Sequence, residues 1–184
     1  MTERIAPTGS RSAIGDVLAT FASGVTLVTV ADGRDDVGTT VSAFCPVSGE
    51  PPLVLVSLIA DTYPAELLGR VDRFAVTVLA AGQRMLAGRF AASGRPGARL
   101  LLEGVPHRRG ALSGALIATG GLAALECEVQ QRVEAGDHLL VIARVLDVPY
   151  LAEAGRPLIR FRGKYPALNA SPASPEASVA ANDH

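Results

Sequence analysis

A succession of short β-branched and apolar runs, joined by tight turns rather than by helices, limits how this chain can fold. Residues 25–31 (VTLVTVA) and 37–44 (VGTTVSAF) flank the turn Asp32-Gly33-Arg34-Asp35-Asp36. Pro51-Pro52 opens a third run at 53–59 (LVLVSLI), which is too apolar throughout for a strand with one face in water. Residues 73–79 (RFAVTVL) form a fourth. Further on, Leu125, Cys127 and Val129 alternate with Glu126, Glu128 and Gln130, the pattern of a half-buried strand. Gly136-Asp137 turns that strand into a partner at 138–148, so 122–148 reads as a β-hairpin, and 157–161 closes the series. Such an order favours an antiparallel sheet or barrel over a doubly wound α/β fold.

Helical signals are few. Ser12 is placed to cap a helix whose apolar residues Ile14, Val17, Leu18 and Phe21 recur at helical spacing, with Gly24 placed to end it. Two more helices are expected at 62–69, where Pro64 suits a first turn, and at 83–90. Residues 92–121 are rich in glycine and arginine and carry no clear period. The first ten residues read as a loose polar arm. The stretch 167–184, rich in Pro, Ala and Ser, lacks the apolar content to offset chain entropy and reads as a disordered tail. One domain over 11–166 remains.

With 184 residues and a net charge of −1, the chain offers no electrostatic case for nucleic acid or anionic lipid as a partner. No apolar run approaches the roughly 20 residues of a membrane span, and the first residues lack a signal-peptide core, so the cytoplasm is expected. Cys45 and Cys127 have no metal-ligand or CxxC spacing and read as reduced, partly buried thiols. The three histidines are dispersed and make no metal site. Nucleophile-elbow, phosphate-loop and dinucleotide-fingerprint motifs are absent as well.

What chemistry there is lies in small hydroxyl-bearing residues. Gly38-Thr39-Thr40-Val41-Ser42-Ala43-Phe44 is a strand that lets backbone approach a flat ring such as an isoalloxazine, with hydroxyls for its polar edge. The same residues also make an ordinary strand of high β propensity. Ser57 ends the buried third run just before the helix at 62–69, whose free N-terminal amides suit a phosphate. Phe90 ends the helix that follows the fourth run and is able to flank a ring. His138 stands at a strand mouth, where an exposed side chain is the commoner role.

Taken in order, FASGVTLVT, TTVSAF, SGEPPLVLVSL, RFAVTVLAAGQ, ECEV, GDHLLVIARV and the final PL with GKY resemble the flavin reductase-like domain family from about residue 12 to 166. Its members are short flavin:NAD(P)H oxidoreductases that serve two-component monooxygenases. The resemblance implies a mainly β split barrel with a few helices, usually a homodimer, that holds FMN or FAD without a covalent bond. It places Thr39, Thr40, Val41, Ser42, Ala43 and Phe44 along the isoalloxazine, and Ser57 and Thr62 near the ribityl phosphate. Phe90 falls near the flavin, Tyr165 near the mouth of the site, and His138 near flavin and nicotinamide. The implied reaction is hydride transfer from NADH or NADPH to flavin N5, which needs stacking and electrostatics more than an acid–base pair. Reduced flavin then leaves for a separate oxygenase component. Two alternatives share the fold: a flavoprotein that keeps its flavin and acts on an organic substrate, with 92–121 as a lid, or a non-enzymatic flavin-binding module.

Overall fold

The computed structural model describes residues 11–33 and 36–168, so the expectations for 1–10 and for the tail from 169 onward lie outside the described residues. Chain order is α1 (Arg11–Leu18), β1 (Ser23–Gly24), β2 (Thr26–Val30), β3 (Val37–Val41), β4 (Phe44–Gly49), β5 (Pro52–Ile59) and α2 (Tyr63–Arg70). Then come β6 (Arg73–Val78), a 3-10 turn (Ala81–Gln83), α3 (Arg84–Ala91), α4 (Ala98–Leu101), β7 (His107–Arg109) and β8 (Leu116–Ala118). The chain closes with β9 (Ala123–Ala135), β10 (His138–Leu151) and β11 (Ile159–Arg160). No described helix is long and apolar enough to cross a membrane.

Seven strands form one antiparallel sheet in the order β3-β2-β6-β9-β10-β5-β4. The expected hairpin is its spine, and it is longer than the sequence suggested. Register shifts in β10 after Ile142, Val145 and Asp147 let so long a ribbon bend, as bulges do. The sheet curls until the chain leaving β3 meets β5, where the Ser57 N–H donates to Ala43 O at 3.0 Å. Among the described residues no strand joins the β3 and β4 edges, which is the split in the barrel.

Two large apolar cores result, with a smaller third cluster of Ala75, Ala115, Ile117 and Ala124. Alternation along β2 sends Val28 and Val30 into the barrel with Val56, Phe74, Val76 and Val141, and α2 closes it with Leu67 and Leu68. Leu27 points the other way, to Leu79, Leu86, Phe90, Leu102 and Leu116 beneath α3, α4 and β8. Every residue of β2 is therefore buried.

Several expectations change. Residues 46–49, which no expected run covers, belong to β4, and Pro46 is tolerated because β4 is an edge strand. Strand β5 is not buried on both faces: Val54, Val56 and Leu58 are buried, whereas Leu53, Leu55 and Ser57 are half-buried and Ile59 is exposed. Helix α1 ends at Leu18, Gly24 lies in β1, and among the described residues nothing covers the apolar face of the helix: Val17, Leu18 and Phe21 are exposed. Cys127 is buried, and desolvation with Glu126 beside it pushes its thiol up to about 12; Cys45 is exposed rather than partly buried.

The stretch without a period, 92–121, is ordered by charge rather than by apolar pattern. Asp36 is buried and accepts from Arg99 Nε at 2.8 Å and from Arg109 Nη2 at 2.8 Å, tying α4 and β7 to the β2–β3 turn. Glu126, on β9, is buried under the 110–113 turn. Its Oε1 accepts from the Ser113 N–H and hydroxyl, each at 2.6 Å, and from the Leu112 N–H at 3.0 Å. Burial is the largest single influence on Glu126 and raises it. The Ser113 hydroxyl and the N–H groups of Ser113, Leu112 and Ala111 together outweigh burial and hold it below the usual carboxylate range.

A carboxyl lowered on folding stabilises the protein above its unfolded value, and that stability fades as pH falls through the lowered value. Glu126→Gln is therefore expected to cost about 1–3 kcal/mol at pH 7. The gap to wild type should close as pH drops below about 4.3. Urea melts of both proteins from pH 7 to 3 check this; a gap independent of pH would mean that the charge contributes nothing.

Candidate functional site

Strand β3 has β2 on one side and, among the described residues, no strand on the other. An open edge presents N–H and C=O groups of the kind that the edge of a flat polar heterocycle can pair with. Its residues are small where closeness matters. A Cβ on Gly38 would lie 2.5 Å from Phe90 Cε1 and 2.9 Å from Phe90 Cδ1, so only glycine lets the strand settle on that ring.

Two openings lie on this segment. A cleft of about 510 Å³ is walled by Asp36 to Gly38 and Thr62 to Pro64 on one side and by 93–97 on the other. A smaller one, about 280 Å³, lies by Ser42, with Phe21, Ser23, Arg160 and Arg162 around it. Gly38 and Ser42 are four residues apart, or ~13 Å of extended backbone.

The expected site residues divide accordingly. Thr39 and Thr40 are half-buried on β3, paired with Val28 and Leu27. Val41 is buried in the barrel, and its carbonyl accepts from Thr26 Oγ1 at 2.9 Å, so its backbone rather than its side chain is what a ligand can meet. Ser42 is half-buried and Ala43 exposed, at the break between β3 and β4. Phe44 starts β4 instead of continuing β3, and its half-buried ring packs on the barrel core. Ser57 is joined to Ala43 through its backbone. Thr62 lines the larger cleft at the N-cap position of α2, but its Oγ1 donates to Ile59 O at 2.7 Å. Pro64 removes one of the amides expected to face a phosphate.

Phe90 is fully buried beneath Gly38, so it shapes β3 from below and presents no open ring face. Tyr165 packs on the second core with the Arg84 guanidinium 5.8 Å from its ring centre. His138 begins β10, paired with Ile59, two residues along β5 from Ser57. Its Nδ1 lies 2.6 Å from Asp137 Oδ1, and the ring is partly exposed. Groups that sequence reasoning missed are Phe21, Ser23, Arg95, Arg160 and Arg162. Phe21 and Ser23 stand in FASGVTLVT, where nothing local marks them as lining an opening; Arg95 is one arginine among several in a glycine-rich stretch, and Arg160 and Arg162 reach Ser42 only through folding.

Residues 18–169 match the flavin reductase like domain. The chain belongs to that family. An NADH-dependent FMN reductase of Streptomyces nodosus subsp. asukaensis, AsuE2, is 36% identical over 149 residues, covering 79% of this chain and 78% of the relative. The reductase component of the Thermus thermophilus 4-hydroxyphenylacetate 3-monooxygenase is 35% identical over 155 residues, 84% of this chain and 95% of its own. Among solved structures, the Streptomyces globisporus NADH:FAD oxidoreductase SgcE6, in complex with NAD and FAD fragments, superposes with a TM-score of 0.83 at 31% identity. It covers 94% of this chain and 100% of that one. BorF, the flavin reductase component of a bacterial two-component tryptophan halogenase, gives 0.81 at 32% identity over 88% of this chain and 100% of its own. As a flavin reductase-like domain, the chain has the antiparallel split-barrel fold expected of it.

Proposed function

We infer that this chain is an NADH-dependent flavin reductase that supplies reduced FMN or FAD to a separate monooxygenase component. The carrying observation is the open β3 edge between two openings, in a chain whose relatives include NADH-dependent FMN and FAD reductases. Bound flavin supplies the acceptor for two electrons taken from the nicotinamide. The protein supplies the rest: Thr39 to Ser42 seat the ring by backbone and hydroxyl, and Ala43 and Ser57 fix where that seat ends. No described cluster of His, Cys, Asp and Glu could hold a metal ion. Segment 92–121 is anchored to Asp36 through Arg99 and Arg109 and to Glu126 through Ser113.

His138 orients the nicotinamide and need not pass a proton. His138→Ala is expected to leave flavin affinity within twofold but to slow anaerobic flavin reduction by NADH about 10–100-fold, one lost orienting contact. Fluorescence titration and stopped flow give the two readings. Wild-type reduction rates in the variant would return His138 to a bystander, and a wild-type protein that stays apo with FMN and FAD would end the flavin reading.

The functional unit is a homodimer. Leu55, Ile59, Leu140 and Ile142 share one face of β5 and β10, and Ile59 is 56% exposed, in the same row as His138 and Ser57. Pairing two such strips buries them and brings each site to the subunit boundary. Sedimentation at micromolar concentration should give twice the 19.0 kDa chain mass. Ile142→Asp should give the single chain; a wild-type monomer refutes the pairing.

A further inference from the structure

Thr62 spends its hydroxyl hydrogen on Ile59 O, and Pro64 lacks an N–H, so the larger cleft needs another source of positive charge for an anion. Arg95 is that source. Its Nε donates to Gly38 O at 3.0 Å and its Nη1 to Ala92 O at 3.1 Å, which fixes the guanidinium against β3 at the cleft wall. Nη2 makes no bond among the described residues. Unlike Arg99 and Arg109, which are paired with Asp36, Arg95 has no carboxylate partner among the described residues. Asp36, the acidic residue of the cleft lining, is already held by those two arginines and is buried. Desolvation lowers the Arg95 guanidinium from its ordinary value, as expected of a cation half withdrawn from water without a counter-charge.

We propose that Arg95 is the phosphate anchor of the flavin site, with its free Nη2 edge facing the ribityl 5′-phosphate that FMN and FAD share. This rests on the flavin reading above. The ~13 Å between Ser42 and Gly38 gives the ring and the phosphate separate seats on one strand. Arg95 holds the Gly38 carbonyl at the end of β3 away from Ser42, so its removal leaves the proposed ring seat in place. An arginine suits the task because its planar guanidinium can spend Nε and Nη1 on the protein and still offer Nη2 to a phosphate oxygen.

Riboflavin, which has the ring and ribityl chain but no phosphate, separates the two roles. Affinities of riboflavin, FMN and FAD are measured for wild type, Arg95→Gln and Arg95→Lys by fluorescence quenching, with circular dichroism melts as the folding control. Expected is a loss of about 10–100-fold for both FMN and FAD in Arg95→Gln, the worth of a charged hydrogen-bond pair. Riboflavin should change less than twofold, and lysine should recover part of the loss. Equal losses for all three ligands would mean that Arg95 only positions β3, and would overturn the proposal while leaving the flavin reading intact. Loss for FAD alone would move the anchor to the adenylate half, and no loss at all would refute it. A wild-type protein that binds none of the three overturns the flavin reading and the anchor together.

Discussion

Leucine at position 42 is expected to abolish flavin binding with the fold unharmed. Ser42 lies at the break where β3 ends and β4 begins, half-buried beside Phe21, Ser23, Arg160 and Arg162. The opening there is only about 280 Å³, and an isobutyl group would occupy the space proposed for the ring. The side chain supports neither core, so the melting temperature should stay within a few degrees of wild type, as for most partly exposed substitutions. Ser42→Ala, which keeps the space and removes only the hydroxyl, should bind flavin with a loss of about tenfold or less. Isothermal titration of the three proteins with FMN checks both variants. Wild-type affinity in Ser42→Leu would remove the ring from this strand and take the Thr39–Ser42 assignments with it.

The second large effect is on stability. Gly38→Val would force its Cβ to within 2.5 Å of Phe90, a ring with no exposed surface and core on every side. Either the ring leaves its rotamer or β3 lifts away, and overpacking of this kind costs about 1–3 kcal/mol or more. Because Arg95 holds Gly38 O, lifting β3 also disturbs the cleft, so flavin affinity should fall together with stability. Phe90→Leu relieves the contact. In a double-mutant cycle, Gly38→Val and Phe90→Leu should therefore show a favourable coupling of at least ~1 kcal/mol. Denaturant midpoints measure it; additive losses would mean that Gly38 and Phe90 do not press on each other.

Strands β2, β3, β5, β6, β9 and β10 were legible because each carries its own signal, whereas β4, β7 and β8 carry none. The Glu126-to-Gln130 alternation and the Gly136-Asp137 turn announce the hairpin without help from the rest of the chain. What stayed hidden depended on contacts distant in sequence. Nothing near 92–121 reveals that Asp36 and Glu126 will organise it, because an aspartate in a turn and a glutamate on the polar face of a strand look solvated. The polar face of β9 is in fact covered at Glu126 by the 110–113 turn. In the same way, the helical spacing of Ile14, Val17, Leu18 and Phe21 predicted burial that the described chain does not provide. Periodicity reports which face is apolar, not what covers it. Of the proposed site, a strand and an order of motifs were legible, through Thr39 to Ser42, Ser57 and Thr62. Arg95 was not, since a lone arginine gains meaning only when it is found beside Gly38 without a carboxylate.

The two free edges of the sheet are not equally protected. β4 carries Pro46 and a register shift before Ser48, both of which spoil an approaching strand. β3 has neither, and among the described residues no strand pairs with its outer side, where Arg95 meets Gly38 O. An unblocked edge is a template for strand addition by another chain, the first step towards aggregation. With the ring seated along β3 as proposed, a reductase that hands its flavin to a partner would expose that edge once in every cycle. Scarce flavin would then do more than idle the enzyme: it would lengthen the time each molecule spends in its stickiest form, so cofactor supply would govern colloidal lifetime as well as rate.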